Sequence, residues 1–395
     1  MTKKKKLFCK VVIGVAAVAG VIWVGFGERI KTIYTSLNSF KDENLAYTFQ
    51  NTPKIQPTKK IAKGENTFQF EKEDNVTLAE EFDFEGVRYG TEAFMEDTRT
   101  LAMVAVKDDV IKYENYFFGG DEHTLFSSNS MGKSFVSALM GIAVAEGHVE
   151  SVEDPLGKYI LEFVGTKLEN IPIRACLKMA SGINFDEDKD MSGFSMKTLM
   201  GTPAMKVIAK YDTQEEPFTY RRYLSINTEI LGQVIVNATG RSLAEYMEEK
   251  LWKQIDPAHD AYWTLSNGTE LAMGGLSVSL RDYARFARLY LNEGTYNGQQ
   301  ILDREWVRAS MDVSEEYAKP GANNDAYNAI GYGYQWWIPE GDQGEFMAIG
   351  VYGQWIYVNP EKNVIIVKTS ADPDFMAPGY ELKHVEFFRA IAEAL

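Results

Sequence analysis

Apolar runs with strand character lie toward both ends of the chain, and helical periodicity fills the middle. "LAMVAV" (101–106) and "VIKYENYFF" (110–118), the second alternating in character, flank the turn Lys107-Asp108-Asp109 and predict a β-hairpin. From Ser130 to Glu146 apolar positions cover nearly every side of a helix stopped by Gly147, so that helix is expected to be buried. "TEILGQVIVNATG" repeats apolar residues at helical spacing up to Gly240, "SLAE" (242–245) is a capping box opening a helix through Trp252, and "SLRDYARFARLYLNEG" (279–294) is a capped helix ended by glycine. Strand texture returns in "GYGYQWWI" (331–338), "QWIYV" (354–358) and "NVIIVKT" (363–369), the last two joined by "NPEK", before a terminal helix from about Leu382 to Ala394. Strands at both ends with helices between them predict an α/β (α+β) domain over 76–395. Its sheet would be assembled from N- and C-terminal parts, about 76–145 and 265–395, with a helical region inserted at about 146–264.

Ahead of that domain the pattern changes twice. Residues 28–75 are mixed and polar, with Pro53, Pro57 and the run "KKIAKGEN", and read as a stalk or loosely attached extension. Before them an uncharged apolar run, Val11 to Gly27, follows Lys3 to Lys6; about 17 residues is the short end of what spans a bilayer. The lysines predict that this end stays in the cytoplasm, making residues 1–27 a signal-anchor with the rest exported. Ala17-Val18-Ala19 offers the rival reading of a cleaved signal peptide and a secreted product, although Val21 to Phe26 stay apolar beyond it.

Composition narrows the function. A chain of 395 residues, 45% apolar, can bury a large core, and a formal charge of −15 argues against a nucleic-acid surface, which needs clustered Lys and Arg. Only two cysteines occur, Cys9 beside the apolar run and Cys176, so an internal disulfide framework is excluded. His123, His148, His259 and His384 are scattered without ligand spacing, and nothing in the sequence requires a metal or organic cofactor.

Chemistry concentrates in "LFSSNSMGKSF" (125–135). Gly132-Lys133-Ser134 imitates the close of a phosphate-binding loop, but Ser127 stands where the first glycine belongs, so half of the backbone cradle is missing and a nucleotide partner is not expected. Ser130-x-x-Lys133 fits better, since residues three apart share a helix face. The serine would sit at the first turn, where free backbone N–H groups favour developing negative charge. A lysine acts as base only when neutral, and lowering its pKa from about 10.4 to near 7 requires about 4.6 kcal/mol, which burial can supply.

Four further segments accompany this one: "YLSINTEILG", with Tyr223-x-Ser225 before a helix; "CLKMASGINFDED" (176–188); "MGGLSVSLRDYARFARLYLNEGTYNGQQIL" (273–302); and "AIGVYGQWIYVNP" (348–360). Together, over about residues 80–395, they resemble the serine β-lactamase-like superfamily, with its penicillin-binding and class C-type members, and most of all its 6-aminohexanoate-dimer hydrolase branch. The resemblance implies a β-lactamase/transpeptidase-like fold, an antiparallel sheet flanked by helices. It also implies a serine hydrolase that cleaves a small-molecule ester or linear amide through an acyl-serine.

By that resemblance Ser130 is the nucleophile, Lys133 its base partner, and Tyr223 the residue that shuttles a proton to the leaving group, with Ser225 at the third position of the same motif. Tyr220 is the rival tyrosine. The second oxyanion donor would be the Val351 N–H beside Gly350, on the strand end "GVYG" (350–353), joining the N–H of Ser130. This strand departs from lactam-processing members, which carry Lys-Thr-Gly there; Lys368-Thr369-Ser370 imitates the triplet one hairpin too late. An esterase or amidase is therefore expected before a β-lactamase or peptidoglycan peptidase, with a non-catalytic binding or sensor domain as the alternative from another class. Tyr352, Trp336, Trp337 and the loop from Asn184 to Lys197 could line the acyl pocket. The run Asp186, Glu187, Asp188 and Asp190 reads as a solvated loop or a lure for a cationic substrate end.

Overall fold

A computed structural model describes residues 38–73, 77–324 and 328–395; the expected membrane segment at 1–27 lies outside the described residues. Among those described, no helix is long and apolar enough to cross a membrane.

The elements that carry the site are α1 (Leu45–Ile55), β1 (Thr58–Ile61), β2 (Thr100–Lys107), β3 (Val110–Tyr116), β4 (Leu125–Ser127) and α2 (Lys133–Ala145). They continue with α3 (Glu187–Leu199), α4 (Ser225–Thr239), β5 (Ala261–Ser266), β6 (Leu276–Ser279) and α5 (Leu280–Leu291). The chain closes with β7 (Phe346–Gly350), β8 (Gln354–Asn359), β9 (Val364–Ser370) and α6 (Tyr380–Ala394). An eight-stranded sheet runs in the order Gly331–Tyr332, Trp337–Ile338, β7, β8, β9, β2, β3, Glu71–Lys72, antiparallel except for its last pair. The seam between β9 and β2 joins the two ends of the chain, so the domain is the α/β sheet built from N- and C-terminal segments that the pattern predicts.

Both faces of this sheet are covered, which explains why its central strands read as unbroken apolar runs instead of alternating ones. Ile365 and Val367 of β9 point into the larger core with α2 and α5, while Val364 and Ile366 meet Val385, Phe388 and Ile391 of α6. The hairpin β2–β3 closes through Asp108 and Asp109, both at positive φ (51° and 62°), the conformation that matches strand twist in a two-residue turn. α2 is buried along almost its whole length, as its all-round apolar pattern requires.

Three expectations change. "GYGYQWWI" is two short strands around a turn, because a Cβ on Gly333 would fall 1.9 Å from the Ser310 carbonyl oxygen and Gln335 takes a φ of 63°. The helix opened by the Ser242–Glu245 capping box ends at Lys250, followed by a short turn at Trp252–Ile255. The described part of 28–75 is no loose stalk: Leu45 and Phe49 of α1 are fully buried, and β1 pairs with β5 at the edge of a second sheet that continues through β6 to β4. Its lysines hid the strand. Lys59 and Lys60 face solvent and bridge to Glu245 (2.9 Å) and Asp260 (2.6 Å), the charged dressing expected of a strand with an unpaired edge. Phe49→Ala is accordingly expected to destabilise the domain by about 3–5 kcal/mol in chemical denaturation, whereas a detached stalk would show no change.

Candidate active site

The serine turn is built by close packing on β6. As β4 ends, the Ser128 N–H donates to the Leu276 carbonyl at 2.7 Å and Ser128 Oγ accepts from the Leu276 N–H at 3.1 Å. Asn129 then adopts a positive φ of 44°, which asparagine tolerates better than most residues, and a 3₁₀ turn over Asn129–Gly132 runs straight into α2. Gly132 is needed there, since a Cβ would lie 2.8 Å from Ser128 Oγ. This places Ser130, half-buried, one turn before Lys133, which is only 2% exposed.

Lys133 Nζ donates to Ser130 Oγ at 2.8 Å and to the Met273 carbonyl at 2.6 Å, and lies 5.2 Å from the centre of the Tyr223 ring. Burial pushes its pKa down to about 8, against the opposing pull of Glu187 and Glu229. Tyr223 is clamped by Trp337, stacked at 5.4 Å, and by the edge of Tyr332 at 6.1 Å. The Ser130 and Ser225 side chains pull its pKa down, but burial outweighs them and drives the phenol well above its ordinary value, so it stays protonated at neutral pH. The rival Tyr220 instead packs against the Arg222 guanidinium, 4.9 Å from its ring centre. Serine, lysine and tyrosine tips therefore converge, and Ser225 joins them from the first residue of α4.

Opposite the serine stands the end of β7. A Cβ on Gly350 would come within 2.5 Å of the Ser128 carbonyl oxygen and 3.0 Å of the Met131 nitrogen, so only glycine lets the strand approach this closely. The contact is pinned by Asn129 Nδ2, which donates to the Val351 carbonyl at 2.9 Å. Val351 leaves its side chain 41% exposed at the rim, and the chain reverses through Tyr352 (φ 64°) and Gly353 (φ 81°). Tyr352 turns toward Phe49, Phe40 and Phe375, with ring centres 5.4, 6.0 and 4.6 Å away. Trp336 is core, buried among Phe286, Tyr290 and Phe346, so of the adjacent tryptophans only Trp337 reaches the site.

Lys368 is not a site cation. It is buried on the α6 side of the sheet, donating to Ser370 Oγ (2.7 Å) and Thr98 Oγ1 (3.0 Å), and burial lowers its pKa to about 7. The acidic run divides between two roles. Asp186 caps α3 by accepting from the Asp188 and Lys189 N–H groups, while Glu187 turns inward and accepts the Ser225 N–H at 2.8 Å. Glu229, on the buried side of α4, was not singled out in the sequence at all; the available signal was a lone carboxylate in an otherwise apolar helix stretch. His123 and His259, far apart in sequence, meet at 3.0 Å between ring nitrogens, but among the described residues no group of three or more His, Cys, Asp or Glu is placed to hold a metal.

Comparison with known proteins bears on the family and the fold. Residues 91–386 match the family model described as Beta-lactamase. A 6-aminohexanoate-dimer hydrolase from Paenarthrobacter ureafaciens is 28% identical over 303 residues, 71% of this chain and 74% of that protein. Among solved structures, a Bacillus anthracis protein provisionally assigned as a 6-aminohexanoate-dimer hydrolase superposes with a TM-score of 0.79 at 24% identity, covering 90% of this chain and 95% of its own. EstCE1, a hydrolase with promiscuous acyltransferase activity, superposes at 0.61 and 14% identity over 77% and 96% of the two chains.

An ammonium at Lys133 cannot accept the Ser130 proton, so a Ser130 that reacts through Lys133 requires the free amine. Fluorophosphonate labelling is expected to rise about tenfold per pH unit below about pH 8 and to level off above it, followed by in-gel fluorescence; a flat profile would detach the lysine from the serine.

Proposed function

The chain belongs to the Beta-lactamase family, and on that premise we propose that it is a serine hydrolase cleaving a carboxylic ester or a linear amide through a covalent acyl-Ser130. The observation that carries the reading is the 2.8 Å hydrogen bond between Ser130 Oγ and a lysine amine withdrawn from water. In this mechanism the free amine of Lys133 takes the Ser130 proton as Oγ attacks the carbonyl carbon. The resulting oxyanion is received by the Ser130 and Val351 N–H groups, each such donor being worth about 2.7–4 kcal/mol in the transition state. Tyr223, kept protonated by burial, gives its proton to the departing alkoxide or amine and is reprotonated by the Lys133 ammonium beside its ring, so the proton taken from Ser130 leaves with the alcohol or amine and the acyl-enzyme is left with a free amine. Water then attacks the acyl-serine by the reverse relay and releases the acid.

Ester or linear-amide chemistry is favoured because the strand end facing the serine offers no cation. Gly350 to Gly353 carry none, and Lys368 faces α6. A carboxylate-bearing lactam would find no partner on that strand, whereas an uncharged acyl group would not need one. The similarity to a 6-aminohexanoate-dimer hydrolase supports the amide side of the same reading. The apolar run behind Lys3 to Lys6 further supports a membrane-held enzyme with this domain outside the cytoplasm.

Intact-mass measurement after incubation with a panel of p-nitrophenyl esters is expected to show a transient acyl adduct, lost in Ser130→Ala, while a penicillin leaves no lasting adduct. A wild-type protein that acquires no adduct and turns over no ester would refute the hydrolase reading. Tyr223→Phe is expected to keep labelling by fluorophosphonate yet lower turnover of alkyl esters, whose alkoxide must be protonated as it leaves, by about 10²–10⁴-fold in steady-state assays, since only the proton donor is removed.

A further inference from the structure

Glu229 sits on the buried side of α4 at 9% exposure, where an ionisable group needs compensation. It finds it in two backbone amides. Its Oε2 accepts the Met273 N–H at 3.2 Å, and the neighbouring Ala272 N–H also favours the ionised carboxylate. The helix can come this near because Gly232, one turn later, has no side chain; a Cβ there would lie 2.4 Å from the Ala272 Cβ. The carbonyl of the same Met273 receives the Lys133 Nζ at 2.6 Å, and Lys133 passes on to Ser130 at 2.8 Å. One residue is thus held by Glu229 through its N–H and holds Lys133 through its carbonyl.

We propose that Glu229 is a positioning residue for the Lys133 base, fixing the Met273 carbonyl that aims the amine at Ser130 and supplying the negative charge that sets the pH at which that amine becomes free. The inference rests on the hydrolase reading above. A neutral acceptor could satisfy the two amides, so the carboxylate adds something beyond geometry: it stabilises the ammonium that forms when Ser130 loses its proton. The other groups facing Lys133 are few. Glu187 approaches from α3 and Tyr223 from the segment before α4; α2 itself has no second ionisable side chain, and neither Ala272 to Gly275 nor Gly350 to Gly353 contributes a charge. Burial raises the Glu229 carboxyl to about 7 beside a lysine at about 8, so the two titrate over one pH range as a coupled pair.

The test is the pH dependence of fluorophosphonate labelling of Ser130 in wild type, Glu229→Gln and Glu229→Ala, with thermal melting to confirm folding. Glu229→Gln keeps an acceptor oxygen but loses the charge. Removing a negative neighbour disfavours the ammonium, so the rising limb is expected to move toward acid, with labelling about threefold faster than wild type near pH 7.5, where Glu229 is ionised in the wild type and Lys133 is still mostly charged. Glu229→Ala also frees Met273, and its plateau rate is expected to fall about tenfold or more. A Glu229→Gln limb that superimposes on wild type overturns the proposal whatever the alanine variant does, because a purely structural glutamate would give that result. Wild type that labels, combined with an unshifted Gln variant, defeats this inference alone; wild type that takes no label defeats the hydrolase reading and this inference together.

Discussion

A lysine ammonium is among the most expensive groups to remove from water, and the site is organised around having done so. Lys133 reaches its position because α2 is sunk into the core on nearly every side, so the first side chain of that helix has no route to solvent. The desolvation that would ordinarily count against the fold is converted into chemistry: the charged form is penalised, the free amine becomes accessible near neutrality, and the Ser130 hydroxyl is its neighbour. Two carboxylates, Glu187 and Glu229, limit that penalty without closing it. A lysine at the same sequence position on an exposed helix would be an ordinary surface cation.

The remaining parts of the site hold their places by contacts that reach far from the serine. Gly350 permits β7 to touch the serine turn, and Gln354, at the start of β8, braces the reversal beyond it by donating to the Tyr352 carbonyl at 3.1 Å and the Ser370 carbonyl at 2.7 Å. Tyr352, at the apex, leans on Phe49 of α1, so the polar extension ahead of the domain supports the strand end that faces Ser130. Tyr223 is held between Trp337 and Tyr332, two residues from the split strand pair at the sheet edge. Each component is positioned by a different stretch of chain, which gives the site precision without a bound cofactor in the proposed chemistry.

Ser130, Lys133 and Tyr223 converge, and the strand end facing them carries no cation. The position of Lys368 explains how a Lys-Thr-Ser triplet can be present without serving there. It lies on β9, two strands removed from β7, and its amine is consumed by Ser370 and Thr98 under α6. Local motif and local function separate because a β-strand sends alternate residues to opposite faces.

What the sequence determined by itself was whatever depends on short-range pattern. Apolar runs bounded by turn residues gave β2, β3, β8 and β9; periodicity and caps gave α2, α4 and α5; and Ser130-x-x-Lys133 with Tyr223-x-Ser225 gave side chains that converge at the candidate site, since spacing along one helix and one motif is local information. Tertiary structure alone decided the rest. The strand β1 was invisible because its lysines answer to an unpaired edge and not to a core, and α1 because Pro53 and polar neighbours outweigh the four residues it buries, two of them threonines. Glu187 was read only as one charge of an acidic run, and Glu229 not at all, for the same reason: a glutamate is a solvated charge or a buried partner depending on which backbone amides lie opposite, and those belong to Ser225 and Met273, which the fold brings to them from other segments of the chain.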